Sequence, residues 1–362
     1  MLALLSWTVA AAHRGAAPDT LGTAQAPPPL TPEGPDAEAR RAALVRRAQL
    51  RLPDDIQPPA RESGSSQSTL ECRYLAKAAD GTSAKFDCAL ADGRTVKVKY
   101  GRNPEIHAET LATTLLTALG YPTDRVAIVP RVRCYGCPRY PFVTMQLLQF
   151  LGAESALAPH GFERGYTDFT WVAVEHRFPA PAIVTPTHTG WGWFELAESD
   201  ASAADVGALR LLAVFLAHWD NKSDNQRLVC LDARIAEHGS SDCARPLAMI
   251  QDLGSTFGPT KLNVTAWTAQ PIWKDRERCL VTMRHLPYRG GTFTDAPIPE
   301  AGRQQLASRL GSLSASTIRQ MLTVARVPHF QSGTDDRRDL ETWVAAFGHR
   351  IQQITTAGPC PT

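Results

Sequence analysis

His218-Trp219-Asp220-Asn221-Lys222-Ser223-Asp224-Asn225 and, further on, Gln251-Asp252-Leu253-Gly254 decide how the rest of the chain is read. In the first stretch a carboxylate, Asp220, follows the histidine by two residues. Lys222 follows by four and the amide Asn225 by seven. The second stretch adds Asp252. Phosphoryl transfer asks a protein for a carboxylate to take a hydroxyl proton, a cation on the moving group and two oxygen ligands for a magnesium ion. Asp220, Lys222, Asn225 and Asp252 are of those types, in that order. A polar turn whose Asp and Asn only cap backbone groups has the same local composition, so the flanking segments carry weight.

Before the first stretch, Val206, Leu209, Ala213 and Leu216 recur at helical spacing, and Ser202 or Asp205 can cap that helix. After it, Gln226–Leu231 and Leu247–Gln251 read as strands, the second ending at Asp252. Upstream, Leu70–Lys77, Ala84–Leu90 and Thr95–Tyr100 read as three strands, with a turn at Ala79–Ser83 and an Asp92-Gly93 hairpin signal. Lys97 and Lys99 share one face of the third strand, opposite Val96, Val98 and Tyr100. Asn103 as N-cap and Pro104 at the first helical position open a helix that ends at Gly120. Glu109 and, in its first turn, Glu105 are the carboxylates of that helix. His107, also on it, reads as surface or packing. Val126–Val132 and Phe142–Leu148 read as the fourth and fifth strands, and Gln149–Gly152 as the hinge after them.

The spacing H-x-D-x-K-x-x-N, the Asp252-Leu253-Gly254 triplet and Val96-Lys97-Val98-Lys99 together resemble the protein-kinase-like superfamily over most of residues 70–260. The atypical branch is the closer match, as in HipA-like and secreted Golgi casein-kinase-type kinases. Trp219 stands where the family has arginine, and Leu253 where it has phenylalanine. The resemblance implies an α+β, two-lobed fold: a small antiparallel β N-lobe with one helix over 70–150, and a larger, mainly helical C-lobe over 151–362. It implies that Lys99, ion-paired with Glu109, holds the α- and β-phosphates of ATP, with Lys97 nearer the adenine. Gly81, with Thr82 and Ser83, covers the phosphates. Asn225 and Asp252 bind Mg2+ or Mn2+. Asp220 takes the proton of a hydroxyl acceptor, protein or small molecule, and Lys222 neutralises the moving phosphoryl group. The chain departs from the family in lacking G-x-G-x-x-G and A-P-E, and in the 26 residues between Asn225 and Asp252. The same pattern also fits an exported pseudokinase, a nucleotide- or protein-binding module without turnover.

Charge is nearly balanced in the 362 residues, 38 basic against 36 acidic, which gives no broad electrostatic reason to bind nucleic acid or membrane. Arg40-Arg41 and Arg46-Arg47 read as a solvated helix face. Residues 1–25 read as a signal peptide: the start is apolar, ends in small residues and is too short to span a bilayer. Residues 26–69 read as a Pro/Ala/Ser-rich linker with one helix, Asp36–Leu50. Eight cysteines fit an oxidising compartment, secreted or periplasmic, with the cytoplasm as the alternative. The pairings expected are Cys72 with Cys88, Cys134 with Cys137 in a local turn, Cys230 with Cys243 around the insertion, and Cys279 with Cys360. Zinc at Cys134 and Cys137 would need two more ligands, and there is no second C-x-x-C. The Trp-rich stretch 155–200 reads as packing or groove lining, and the tail beyond Pro299 as packing helices.

Overall fold

Valines alternate with lysines in Thr95–Lys99, and the valines turn inward to close a barrel. The structure, a computed structural model, describes residues 29–32, 36–56, 69–77, 81–153, 165–232, 243–287, 292–331 and 336–361. The expected signal segment 1–25, linker residues 57–68, Ala79 and Asp80 of the expected turn, and the loop 233–242 lie outside them. Helix α1 (Ala37–Arg47) precedes strands β1 (Leu70–Leu75), β2 (Lys85–Ala89) and β3 (Thr95–Lys99). Helix α2 (Pro104–Ala118), strand β4 (Arg125–Tyr135), helix α3 (Pro141–Phe150) and strand β5 (Tyr166–His176) follow. The five strands form a closed barrel in the order β1-β2-β3-β5-β4, sealed by a parallel β1–β4 pair. Its interior is apolar and includes Phe86, Val96, Val98, Val132, Phe169, Val172 and Val174.

The expected fifth strand, Phe142–Leu148, is helix α3 instead. Pro141 sits at its first turn, and Phe142 and Met145, three apart, are its buried residues, which is helical and not strand periodicity. The fifth strand lies in the Trp-rich stretch, where Thr, Phe, Val and Trp supply β-branched and aromatic residues. The barrel therefore runs to residue 176, past the boundary expected at 150, and Gln149–Gly152 is a helix end.

The rest is a mixed α+β assembly dominated by helices. Helix α4 (Ala203–Leu216) leads into the hairpin β6 (Gln226–Cys230) and β7 (Pro246–Ile250). A short helix α5 (Val264–Thr268) and the two-stranded β8 (Leu280–Val281) and β9 (Ala296–Pro297) follow. Helices α6 (Glu300–Gly311), α7 (Ala315–Val324), α8 (Val327–Gln331) and α9 (Asp336–Thr355) end the chain. Ser202 caps α4 by accepting from the Asp205 N–H at 3.0 Å, and the aromatic core joins Phe215, Phe257, Trp267, Trp343 and Phe347. The expected linker is in part core: Leu44 and Val45 of α1, and Ala48 and Leu50 just after it, are buried in the main core. Arg41, read as part of a solvated face, is buried, pairs with Glu195 at 2.6 Å and donates to the Gly190 carbonyl. Among the described residues no helix is long and apolar enough to cross a membrane.

Three disulfides join Cys72–Cys88, Cys230–Cys243 and Cys279–Cys360. Cys134 and Cys137, expected as a bonded pair, are both buried free thiols. The three bonds are consistent with an oxidising environment. The Cys230–Cys243 bond ties the far ends of β6 and β7 across a sequence separation of 13. Replacing both by serine should lower stability by up to roughly 3 kcal/mol, the chain-entropy value for a loop of that size. Denaturant unfolding of the double variant checks this; an unchanged midpoint would mean the hairpin is held without the bond.

Candidate active site

Lysine 99 must leave water to reach the end of β3, and a buried ammonium is tolerated only beside opposite charge. Its side chain is 5% exposed and finds two partners. Glu109 of α2 lies 2.7 Å away and Asp252 3.4 Å away. Burial opposes the charge on Lys99, but Glu109 and Asp252 outweigh it and hold the ammonium well above its usual pKa. Burial pushes Glu109 up to about 7 against the pull of Lys99. Asp252 moves the other way, down to about 2, chiefly because of Lys99, with Lys97 and Lys85 assisting. Asp252 is therefore a carboxylate at every physiological pH, and its side chain remains 44% exposed. Three elements meet at one ammonium: β3, α2 and the segment after β7.

Lys97 takes a different partner. The β3–β5 register sets it opposite Glu175, and the two pair at 3.0 Å. A cleft beside Lys97 is lined by Tyr74, Lys85, Phe86, Met145 and Arg177.

Hairpin register explains how residues far apart in sequence meet. Gln226 pairs with Ile250, so Asn225 and Gln251 leave the same end of the hairpin, and Asp252 comes next. Asp252 adopts φ 51°, a left-handed conformation that a non-glycine residue holds only when its surroundings impose it. Asn225 donates from Nδ2 to the Asp220 carbonyl at 2.8 Å, which folds the loop back on itself. Asp220 is half-buried. Burial raises its pKa, Lys222 opposes that, and Asp252 adds to it. These groups include hard oxygen donors of the kind magnesium and manganese accept, and Asp252 is ionised.

Several residues support the site through partners that the sequence does not give. Trp193 donates from Nε1 to the Asn221 carbonyl at 3.1 Å, and Trp191 to the Met249 carbonyl at 2.9 Å. The Trp-rich stretch thus braces the loop that holds Asp220 and the strand before Asp252. Gly190 lies so close that a Cβ there would meet the Ser223 and Gln226 carbonyls at 2.2 Å. Glu105, the other carboxylate of α2, pairs with Lys261 and accepts from Ser83, two residues after Gly81. Gly254 backs onto it, with room for a Cβ only 3.1 Å from the Glu105 side chain. Gly81 itself is at φ 75°, where glycine is favoured. His107 bonds the Ala325 carbonyl through Nδ1 at 2.8 Å, a packing role as expected.

His218 is 1% exposed and lies beside Asp252. Burial lowers its pKa to about 4, although the Asp252 carboxylate favours the proton. The unfolded chain, with a histidine near 6.5, binds that proton more tightly. The stabilisation is therefore complete above pH 6.5 and is lost as pH falls toward 4, a loss of roughly 3 kcal/mol in all. His218→Leu should flatten this part of the stability–pH profile, measured by urea unfolding between pH 7 and 4. An unchanged slope in the variant would assign the acid sensitivity to other groups.

No protein-family model and no curated protein sequence matches the chain. Among solved structures it is similar to the crystal structure of a Helicobacter pylori proinflammatory kinase, CtkA. The TM-score is 0.43 and the identity 9%, with the alignment covering 80% of this chain and 97% of that one.

Proposed function

We propose that this protein is a kinase-type phosphotransferase that uses ATP with Mg2+ or Mn2+ to phosphorylate a hydroxyl acceptor. The observation that carries the reading is the buried Lys99–Glu109 ion pair, 2.7 Å long, aimed at Asp252 3.4 Å away. A purely structural ion pair needs two groups. Here a third, ionised and partly exposed, shares the same ammonium. It lies across the hairpin end from Asn225.

In this reading the barrel with α2 serves as an N-lobe reaching to about residue 176, and the helical remainder serves as a C-lobe. ATP lies between them. Lys99 binds the α- and β-phosphates and is kept charged and pointed by Glu109. Gly81 to Ser83 close over the phosphates, tied to α2 through Ser83 and Glu105. Lys97, paired with Glu175, lines the side toward the base. Asn225 and Asp252 would hold the metal ion, which when bound neutralises charge on the phosphates. Asp220 orients the acceptor hydroxyl and takes its proton. Burial supports this by raising the pKa of Asp220 toward the range useful for a base. Lys222 faces the transferring group and stabilises its equatorial charge. The disulfides favour an exported protein, secreted or periplasmic.

Asp252→Asn, Lys99→Met and Asp220→Ala should each keep the fold and reduce phosphoryl transfer by at least about 100-fold, the usual cost of one preorganised charge contact. The assay is transfer from γ-labelled ATP to the chain itself and to a mixed protein acceptor, with circular dichroism as the folding control. Wild-type transfer by Asp252→Asn would sink the mechanism. Magnesium-dependent ATP binding without transfer by the wild type would instead point to the pseudokinase reading.

The two lysines separate by partner. Lys97→Met should retain much more activity than Lys99→Met, since only Lys99 touches both Glu109 and Asp252. Equal losses would remove the distinction, and the reverse order would move the phosphate role to Lys97.

A further inference from the structure

Four of the eight cysteines meet inside the barrel, away from the lysine face of β3. Cys72 and Cys88 are bonded to each other. In the parallel β1–β4 pair, Cys72 lies directly opposite Cys134. The Cys134 sulfur is 3.6 Å from that of Cys88. The Sγ atoms of Cys72, Cys88 and Cys134 all lie within 4.8 Å of one another. Cys137, three residues on, is buried in the same apolar cluster as these three and lies beside Cys134. The turn between them places Gly136 at φ 71°, where glycine is favoured, and this brings Cys137 back toward the strand it has just left. That turn is anchored twice, by Gly136 N–H to the Gly165 carbonyl at 3.0 Å and by Thr167 Oγ1 to the Cys137 carbonyl at 2.9 Å. All four cysteines are buried.

A C-x-x-C supplies two metal ligands and needs two more. The barrel provides them from β1 and β2, which the sequence does not place nearby. A zinc ion with four thiolates at about 2.3 Å sets its sulfurs at tetrahedral corners about 3.8 Å apart. The Cys88–Cys134 separation is already close to that.

We propose that Cys72, Cys88, Cys134 and Cys137 form a reduction-gated tetrathiolate site for a soft divalent cation, zinc. A dithiol reductant passes two electrons and two protons to the Cys72–Cys88 bond and becomes a disulfide itself, leaving four thiols. Zinc then displaces four protons to solvent and is held by four thiolates. The barrel is stapled in either compartment, by a covalent bond between β1 and β2 where conditions oxidise, or by a metal joining β1, β2 and the end of β4 where they reduce. This site is independent of the phosphotransferase reading.

The test uses the full chain, reduced anaerobically with dithiothreitol, desalted and titrated with cobalt(II) as a spectroscopic stand-in for zinc. One equivalent should bind, with the sulfur-to-cobalt charge-transfer and strong visible bands of a tetrahedral thiolate centre, and zinc should bleach them. The unreduced chain should show neither band. Cys137→Ser should weaken cobalt binding at least about tenfold, whereas Cys230→Ser/Cys243→Ser should leave the spectrum unchanged. No tetrahedral cobalt bands in reduced, folded protein would overturn the site. So would a spectrum that survives Cys137→Ser. If the variant does not fold, differential alkylation of wild-type protein decides: zinc should protect Cys72, Cys88, Cys134 and Cys137. Free alkylation of Cys134 and Cys137 in zinc-saturated, folded protein would refute the proposal.

Discussion

A single buried ammonium organises the molecule around its candidate site. Lys99 cannot lie in the interior without opposite charge, and its two partners come from elements that share no local sequence. Glu109 belongs to a helix packed outside the barrel, and Asp252 follows a hairpin 153 residues away. Any arrangement that separates these elements strands at least one buried charge. The hydrophobic core brings barrel, helix and hairpin together, but it is non-directional. The ion pairs fix which residues face one another. The opposed shifts fit this: burial raises Glu109, while Asp252, more exposed and dominated by Lys99, is lowered. One carboxylate is buried with the lysine, and the other stays partly exposed beside it.

Around that centre the loop of the candidate site is anchored by neighbouring elements. Asp220 and Asn225 sit on a loop, the least constrained kind of segment. This loop is nonetheless fastened from several sides. Asn221 donates to the His218 carbonyl at 2.7 Å, Trp193 donates to Asn221, and Asn225 bonds the Asp220 carbonyl. Gly190 packs its backbone against Ser223 and Gln226, and Arg41 of α1 holds Gly190 from behind. An N-terminal helix and a Trp-Gly-Trp stretch thus work as the outer support of the site. Large aromatic side chains suit this task, since each fills volume and still offers one N–H for a loop carbonyl.

Legibility in the sequence followed the range of the interaction. The three barrel strands before α2, that helix, α4, the β6–β7 hairpin and most tail helices could be read because periodicity, caps and turn residues are local signals. Helix α3 was misread because Phe142–Leu148 is apolar enough for either period, and only its one-sided burial shows which applies. Strand β5 was hidden in a stretch noticed for its tryptophans. Arg41 looked like surface because a sequence lists a charge but not its partner, and Glu195 lies 154 residues on.

The sequence by itself determined the chemical inventory: the residue types at Asp220, Lys222, Asn225 and Asp252, the alternation that gives Lys97 and Lys99 one face, and the helix that carries Glu109. The resemblance already pointed to Lys99 and Glu109; tertiary structure brought Asp252 to the same ammonium and gave Lys97 a different partner, Glu175, because the two lysines share a face but end at different points along β3. It also decided that Cys134 and Cys137 gather with Cys72 and Cys88 in place of pairing with each other. That outcome depends on the parallel closure of β1 on β4, a non-local pairing that no spacing along the chain encodes.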